Sequence, residues 1–123
     1  MPKVIFDSSF LMAVMERPTT WYEDLGTILG KVEPVMLDCV REELLKISNG
    51  EGKRARFASL ALEVSRGFAP LPCGGAEVDD EIVSAALSHG AAVATVDGTL
   101  IQSLRSAKVK VMSLGGGRVI ERS

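Results

Sequence analysis

Four acidic residues, Asp7, Glu43, Asp79 and Asp97, stand at positions where carboxylates can do chemistry. Asp7 closes the apolar run Val4-Ile5-Phe6, and Asp97 follows a second such run, Ala92 to Thr95. Asp79 opens a helical pattern, and Glu43 lies on the first turns of another. Taken singly, each has a plainer reading. Asp7 can cap the helix after it, Asp79 or Asp80 can be an N-cap, Asp97 can cap a helix with Gly98 at the turn, and Glu43 can be a solvated helix residue. Taken together they argue otherwise. Carboxylates at contact distance repel by about 1 kcal/mol in water and by more in a cleft. A fold that converges four of them needs a cation, and hard oxygen donors select Mg²⁺ or Mn²⁺.

The elements that would position these groups alternate between strand and helix. Val4 to Phe6 reads as a buried strand. Ser8 or Ser9 can cap a helix over Phe10 to Glu16, which Pro18 stops, and Thr20 caps a second helix, Trp21 to Gly30. Val35-Met36-Leu37 is the second strand, and Asp38 caps a third helix with Val40, Leu44 and Ile47 inward. A fourth helix places Phe57, Leu60, Ala61, Val64 and Phe68 on its inner face. Leu71 to Gly75 reads as a loop, and a fifth helix begins at Asp79 or Asp80, with His89 packed at its end and Gly90 as its stop. Ala92 to Thr95 is a strand, Leu100 to Leu104 a short helix, and Val109 to Leu114 a further strand. Gly115 to Gly117 turns the chain toward an edge strand at Val119-Ile120. This alternation specifies an α/β fold, a mostly parallel sheet of four to five strands flanked by helices. In such a sheet, function gathers at the carboxyl ends of the strands, where all four acidic residues fall.

The 123 residues suit one domain, 1–123, and 46% hydrophobic content suffices for a core. With 16 acidic and 14 basic residues the chain lacks the strongly basic footprint of a dedicated nucleic-acid binder. Cys39 and Cys73 are too few for a disulfide framework and read as unpaired thiols, which fits a reducing cytoplasm. One His and no CxxC exclude a Cys/His zinc site. Asp7 interrupts the N-terminal apolar run before a signal peptide can form, and no apolar stretch reaches membrane-spanning length.

Four blocks of the chain resemble the PIN domain family, in the same order and across nearly its whole length. Val4-Ile5-Phe6-Asp7-Ser8-Ser9-Phe10-Leu11 is similar to the family's opening motif, an apolar strand followed by Asp-Thr-Asn. Asp38-Cys39-Val40-Arg41-Glu42-Glu43-Leu44 resembles the second block, in which Glu precedes Leu. Val78-Asp79-Asp80-Glu81-Ile82-Val83 and Val93-Ala94-Thr95-Val96-Asp97 resemble the third and fourth. The wording is nearest to the rRNA-processing branch, the small-subunit processome endonuclease and its archaeal relatives, and less like the toxin branch. The resemblance implies Asp7, Glu43, Asp79 and Asp97 as catalytic metal ligands for Mg²⁺ or Mn²⁺, with Ser9 and Thr95 as polar supports and Asp80 as an extra carboxylate. It implies metal-dependent hydrolysis of phosphodiester bonds in single-stranded RNA. Two departures stand out: Ser8-Ser9 replaces Thr-Asn, and Thr99 occupies a position that is often acidic.

Lys53, Arg54 and Arg56 open the fourth helix, either as a solvated face or as phosphate contacts beside the cleft. Trp21, Tyr22, Met12 and Met15 are many large apolar groups for two short helices, and the resemblance implies pairing there, as a homodimer or with an assembly partner. Two other readings stay open. One is a catalytically silent scaffold that binds RNA or protein, and the other is a toxin-type ribonuclease held by an antitoxin. A phosphatase with Asp-x-Asp after its first strand is excluded, because residue 9 is Ser.

Overall fold

A computed structural model describes residues 1–123. Strands β1 (Lys3–Phe6), β2 (Glu33–Leu37), β3 (Ala69–Leu71), β4 (Ala92–Ala94), β5 (Val111–Gly115) and β6 (Arg118–Glu121) alternate with helices. These are α1 (Ser8–Glu16), α2 (Trp21–Leu29), α3 (Asp38–Ser48), α4 (Gly52–Val64), α5 (Val78–His89) and α6 (Gly98–Ser106). One sheet contains all six strands in the order β3-β2-β1-β4-β5-β6. The first five strands run parallel, and β6 returns antiparallel to β5 through Gly116 and Gly117, whose φ values of 59° and 78° suit a two-residue hairpin turn.

Six strands exceed the four or five expected, and β3 accounts for the difference. It is three residues long, centred on Pro70, and starts just before the stretch read as a loop. So short a strand shows no alternation, and proline's missing N–H confines it to an edge, which is where it lies.

The strand order reverses between β1 and β4. Connections after β1 and β2 step one way along the sheet, while those after β3 and β4 step the other. Right-handed crossovers therefore place α1 to α4 on one face and α5 and α6 on the opposite one. The packing agrees, with α1, α3 and α4 against one another and α5 against α6. At such a switch point the loops leaving two neighbouring strands part and open a crevice. Asp7 follows β1 and Asp97 follows β4, so the topology puts both carboxylates at its mouth.

Val4, Ile5 and Phe6 of β1 are fully buried, as are Phe10 and Leu11 of α1. Phe6, Phe10, Trp21 and Phe68 form a connected group of rings. Trp21, Met12 and Met15 pack against this core, which leaves Tyr22 as the exposed member of the set expected to form an association surface. The inner face of α4 is rotated from the one expected. Ala55, Ala58 and Ala61 are buried, Leu60 and Val64 are 41% and 43% exposed, and Phe57 is only half-buried. The cause is that α4 packs on both α1 and α3, and a stripe of small side chains lets helix axes approach closely.

Two local expectations are corrected. Cys39 and Cys73 are not unpaired: their sulfurs form a disulfide with Cα atoms 6.1 Å apart, joining the start of α3 to the loop after β3. His89 is exposed rather than packed at the end of α5. Asp24, which nothing in the sequence singled out, is buried and accepts hydrogen bonds from Arg118 Nε (3.0 Å), Arg118 Nη2 (2.8 Å), the Val119 amide (3.1 Å) and Thr20 Oγ1 (3.0 Å). The Arg118 side chain leads these donors in holding the Asp24 carboxyl down to about 2. No helix is long and apolar enough to cross a membrane.

Candidate active site

Asp7 lies just past the end of β1, beside the switch point of the sheet. Its backbone is still part of the sheet, donating to the Ala94 carbonyl at 3.0 Å, and its side chain is 5% exposed. Neither Ser8 nor Ser9 caps α1, because both hydroxyls serve carboxylates instead. Ser9 Oγ donates to Asp7 Oδ2 at 2.5 Å and Thr95 Oγ1 donates to the same oxygen at 2.8 Å. Those donations are directed by the turn between β4 and α6. The Val96 amide donates to Ser9 Oγ at 3.2 Å and the Asp97 amide to Thr95 Oγ1 at 3.1 Å, so each hydroxyl can turn its own hydrogen to Asp7. Asp7 Oδ1 is left without a side-chain donor.

Asp97 has one oxygen engaged and one free. As the N-cap of α6, its Oδ1 accepts from the Thr99 and Leu100 amides at 2.9 and 3.2 Å. Its Oδ2 has no donor from the protein and remains available. The capping reading was therefore correct for Asp97 without displacing the functional one. Asp79 is different. Glu77 occupies the N-cap position of α5, and Asp79 and Asp80 lie inside the first turn, so neither is the cap.

Glu43 is reached by Ser8, whose hydroxyl donates to Glu43 Oε1 at 2.5 Å. Glu81 was not anticipated. Its two oxygens accept from the Gly74 amide (3.0 Å) and the Ala76 amide (2.8 Å), which folds the loop after Cys73 back onto the start of α5. Those hydrogen bonds pull its carboxyl below the usual range. A glycine-rich loop of free amides ahead of an acidic first turn is the sequence signal for such an anchor.

Charge effects link Asp79 to Asp97, Asp7 and Glu43, and Asp7 to Glu43. Burial pushes the Asp7 carboxyl up, Ser9 and Thr95 pull it back, and the Glu43 charge pushes it up again. Burial also raises Asp79, followed by the charges of Asp97, Asp7, Glu43 and Asp80 in that order. No three His, Cys, Asp or Glu side chains are drawn together closely enough to hold a metal ion as they stand. By chemistry alone, carboxylate oxygens are the donors that a hard divalent cation takes. Lys53 and Arg54 line a cleft that includes Ser9, whereas Arg56 is exposed outside it.

Comparison with known proteins accords with this arrangement. The chain is similar to the PIN domain endonuclease Utp24, with 29% identity and a TM-score of 0.82 over 98% of this chain and 90% of that one. A domain of a functionally unknown protein from Methanocaldococcus jannaschii matches at 14% identity and a TM-score of 0.65, covering 94% and 93%. A mutant T5 5′-exonuclease matches at 17% identity and a TM-score of 0.56, over 96% of this chain and 52% of that one. These last two likenesses are of fold. No curated protein matches the chain. The family model described as a PIN like domain matches residues 4–117, from the strand before Asp7 to the final hairpin turn, and the chain belongs to that family of nuclease fold.

Proposed function

We propose that the protein is a Mg²⁺- or Mn²⁺-dependent endoribonuclease that hydrolyses phosphodiester bonds in single-stranded RNA. The observation that carries this reading is that Asp7, at the end of β1, and Asp97, at the end of β4, meet at the switch point of the sheet, each with one carboxylate oxygen that no side chain or cap amide occupies. A cation held there would neutralise charge on the scissile phosphate and acidify the attacking water. Asp7 Oδ1 and Asp97 Oδ2 are the oxygens left free to hold it. Ser9 and Thr95 fix the Asp7 carboxylate from behind, and Ser8 orients Glu43. Asp79, on the first turn of α5, adds a further oxygen donor, with Asp80 beside it. An unpaired strand fits a narrow acidic cleft better than a duplex, and Lys53 and Arg54 offer cations for its backbone.

A place in rRNA processing is supported by the wording of the motifs, and internal cutting of the strand by the likeness to Utp24, described as a PIN domain endonuclease. Exposed Tyr22, Leu60 and Val64 offer apolar surface for a homodimer or an assembly partner. A silent scaffold is the second reading, favoured by the open arrangement of the carboxylates. Cleavage of labelled single-stranded and hairpin RNA with Mn²⁺, comparing the parent with Asp7→Asn, separates the two. A nuclease cuts the single strand and loses that activity with Asp7→Asn, whereas a scaffold leaves the RNA intact.

A further inference from the structure

Phe57 is the one aromatic residue that joins no other ring: Phe6, Phe10, Phe68, Trp21 and Tyr22 are all paired. It also lies outside the hydrophobic core and outside the set of side chains packed against it. Instead it lines a cleft of about 460 Å³ with Met12, Val96 and Ser9, and with Lys53 and Arg54 one turn before it on α4. The cleft is large enough for a small planar ligand. Ser9 belongs both to this cleft and to the hydrogen bonds on Asp7, and Val96 lies between Thr95 and Asp97. The cleft therefore adjoins the carboxylates directly.

We propose that this cleft is a nucleobase pocket, seating one unpaired base of the RNA strand beside the scissile phosphate. This rests on the nuclease reading for the identity of its ligand. Phe57 and Met12 supply apolar surface that takes the π-face of any base. Lys53 and Arg54 meet the phosphates on either side of the seated nucleotide, which is the charge complementarity a bare apolar groove would lack. Glu16 also lines the cleft. It offers only acceptors, so it repels a phosphate there and favours a base edge that donates. The pocket fixes which phosphodiester faces Asp7 by holding the adjoining base, without reading a long sequence.

The test is an abasic scan of a short single-stranded RNA, with binding followed by fluorescence anisotropy on Asp7→Asn protein so that cleavage does not interfere. One abasic position should weaken binding about tenfold, in line with base–aromatic stacking. Phe57→Leu, which keeps the apolar volume, should weaken the intact strand by a similar factor and flatten the scan. Lys53→Gln should reduce the salt dependence by about one phosphate contact and leave the abasic dip in place. A flat scan in Asp7→Asn protein, or unchanged affinity when Phe57→Leu is added to it, overturns the pocket and leaves the cleft to a protein partner. If wild-type protein cuts RNA while the scan is flat, the pocket falls and the nuclease reading stands. If the scan shows its dip and wild-type protein does not cut, the pocket stands and the nuclease reading falls.

Discussion

Ser8 Oγ lies 2.5 Å from Glu43 Oε1, a contact between residues 35 apart in sequence. It joins the first turn of α1 to α3 across the front of the cleft, and Ser8 is itself buried. The hydroxyl acts on Glu43 and not on the helix whose N-terminus it occupies. Ser8→Ala should therefore leave α1 intact and free Glu43 to rotate. Partners that orient ligating carboxylates typically matter by about tenfold or more in metal affinity. Calorimetric titration with Mn²⁺ should show a loss of that order, with Ser8→Thr restoring most of it. Unchanged affinity in Ser8→Ala would remove Glu43 from the cation site.

Asp7→Asn should abolish metal-dependent cleavage while the fold persists, because the amide oxygen can still accept from Ser9 and Thr95. In the absence of metal it should also raise the melting temperature by a few degrees, since it removes a charge held at a cost by burial and by Glu43. Gain of stability with loss of activity is the expected pair of results, read by differential scanning calorimetry and by the cleavage assay.

The pH dependence of stability should have two limbs when metal is chelated. Asp7 and Asp79 have raised folded values, so their ionised forms disfavour folding, and that penalty is relieved as the pH falls through those values. Asp24 has the opposite sign. Its folded value is about 2, so its contribution is present above the ordinary carboxylate value and is lost as the pH falls toward 2. Thermal denaturation from pH 7 downward should first show increasing stability, then a decline below about pH 4. Asp7→Asn should shrink the first limb to the part that Asp79 contributes and leave the second.

Asp24→Ala should lower the melting temperature more than Arg118→Ala. The first leaves the Val119 amide without its acceptor as well as breaking the pair with Arg118, whereas the Arg118 side chain is 70% exposed and water replaces much of what it loses. Parallel melting curves of the two variants give the order directly.

Thiol titration of the unfolded, unreduced protein should find no free cysteine, and reduction should lower the melting temperature by releasing the loop after β3 from α3. Two titratable thiols would remove the cross-link.

Much of the architecture is legible in the sequence, because buried parallel strands write themselves as apolar runs. Val4-Ile5-Phe6 and Ala92-Val93-Ala94 announce β1 and β4, and acidic residues just past their ends announce the cleft. Other features are decided by tertiary contact. The Ala55-Ala58-Ala61 stripe is less hydrophobic than Leu60 and Val64, and it faces inward only because two helices press on α4 at once. Ser8 and Ser9 carry equally good capping chemistry, and which acceptor they serve depends on Glu43 and Asp7, positions that local sequence does not bring near. The pairing of Cys39 with Cys73 depends on β3 lying beside β2, a strand too short to be visible as a pattern.

The two ends of the sheet bear on how copies of this protein can meet. At one end β3 is three residues long and carries Pro70, so it offers little backbone for another strand. At the other, β6 turns back on β5 and is tied to α2 through Asp24 and Arg118. Both edges are poor templates for strand addition. Self-association must therefore use helix faces, where side chains rather than backbone groups choose the partner. Oligomers should then be discrete and reversible, and the chain should resist edge-to-edge polymerisation even when concentrated.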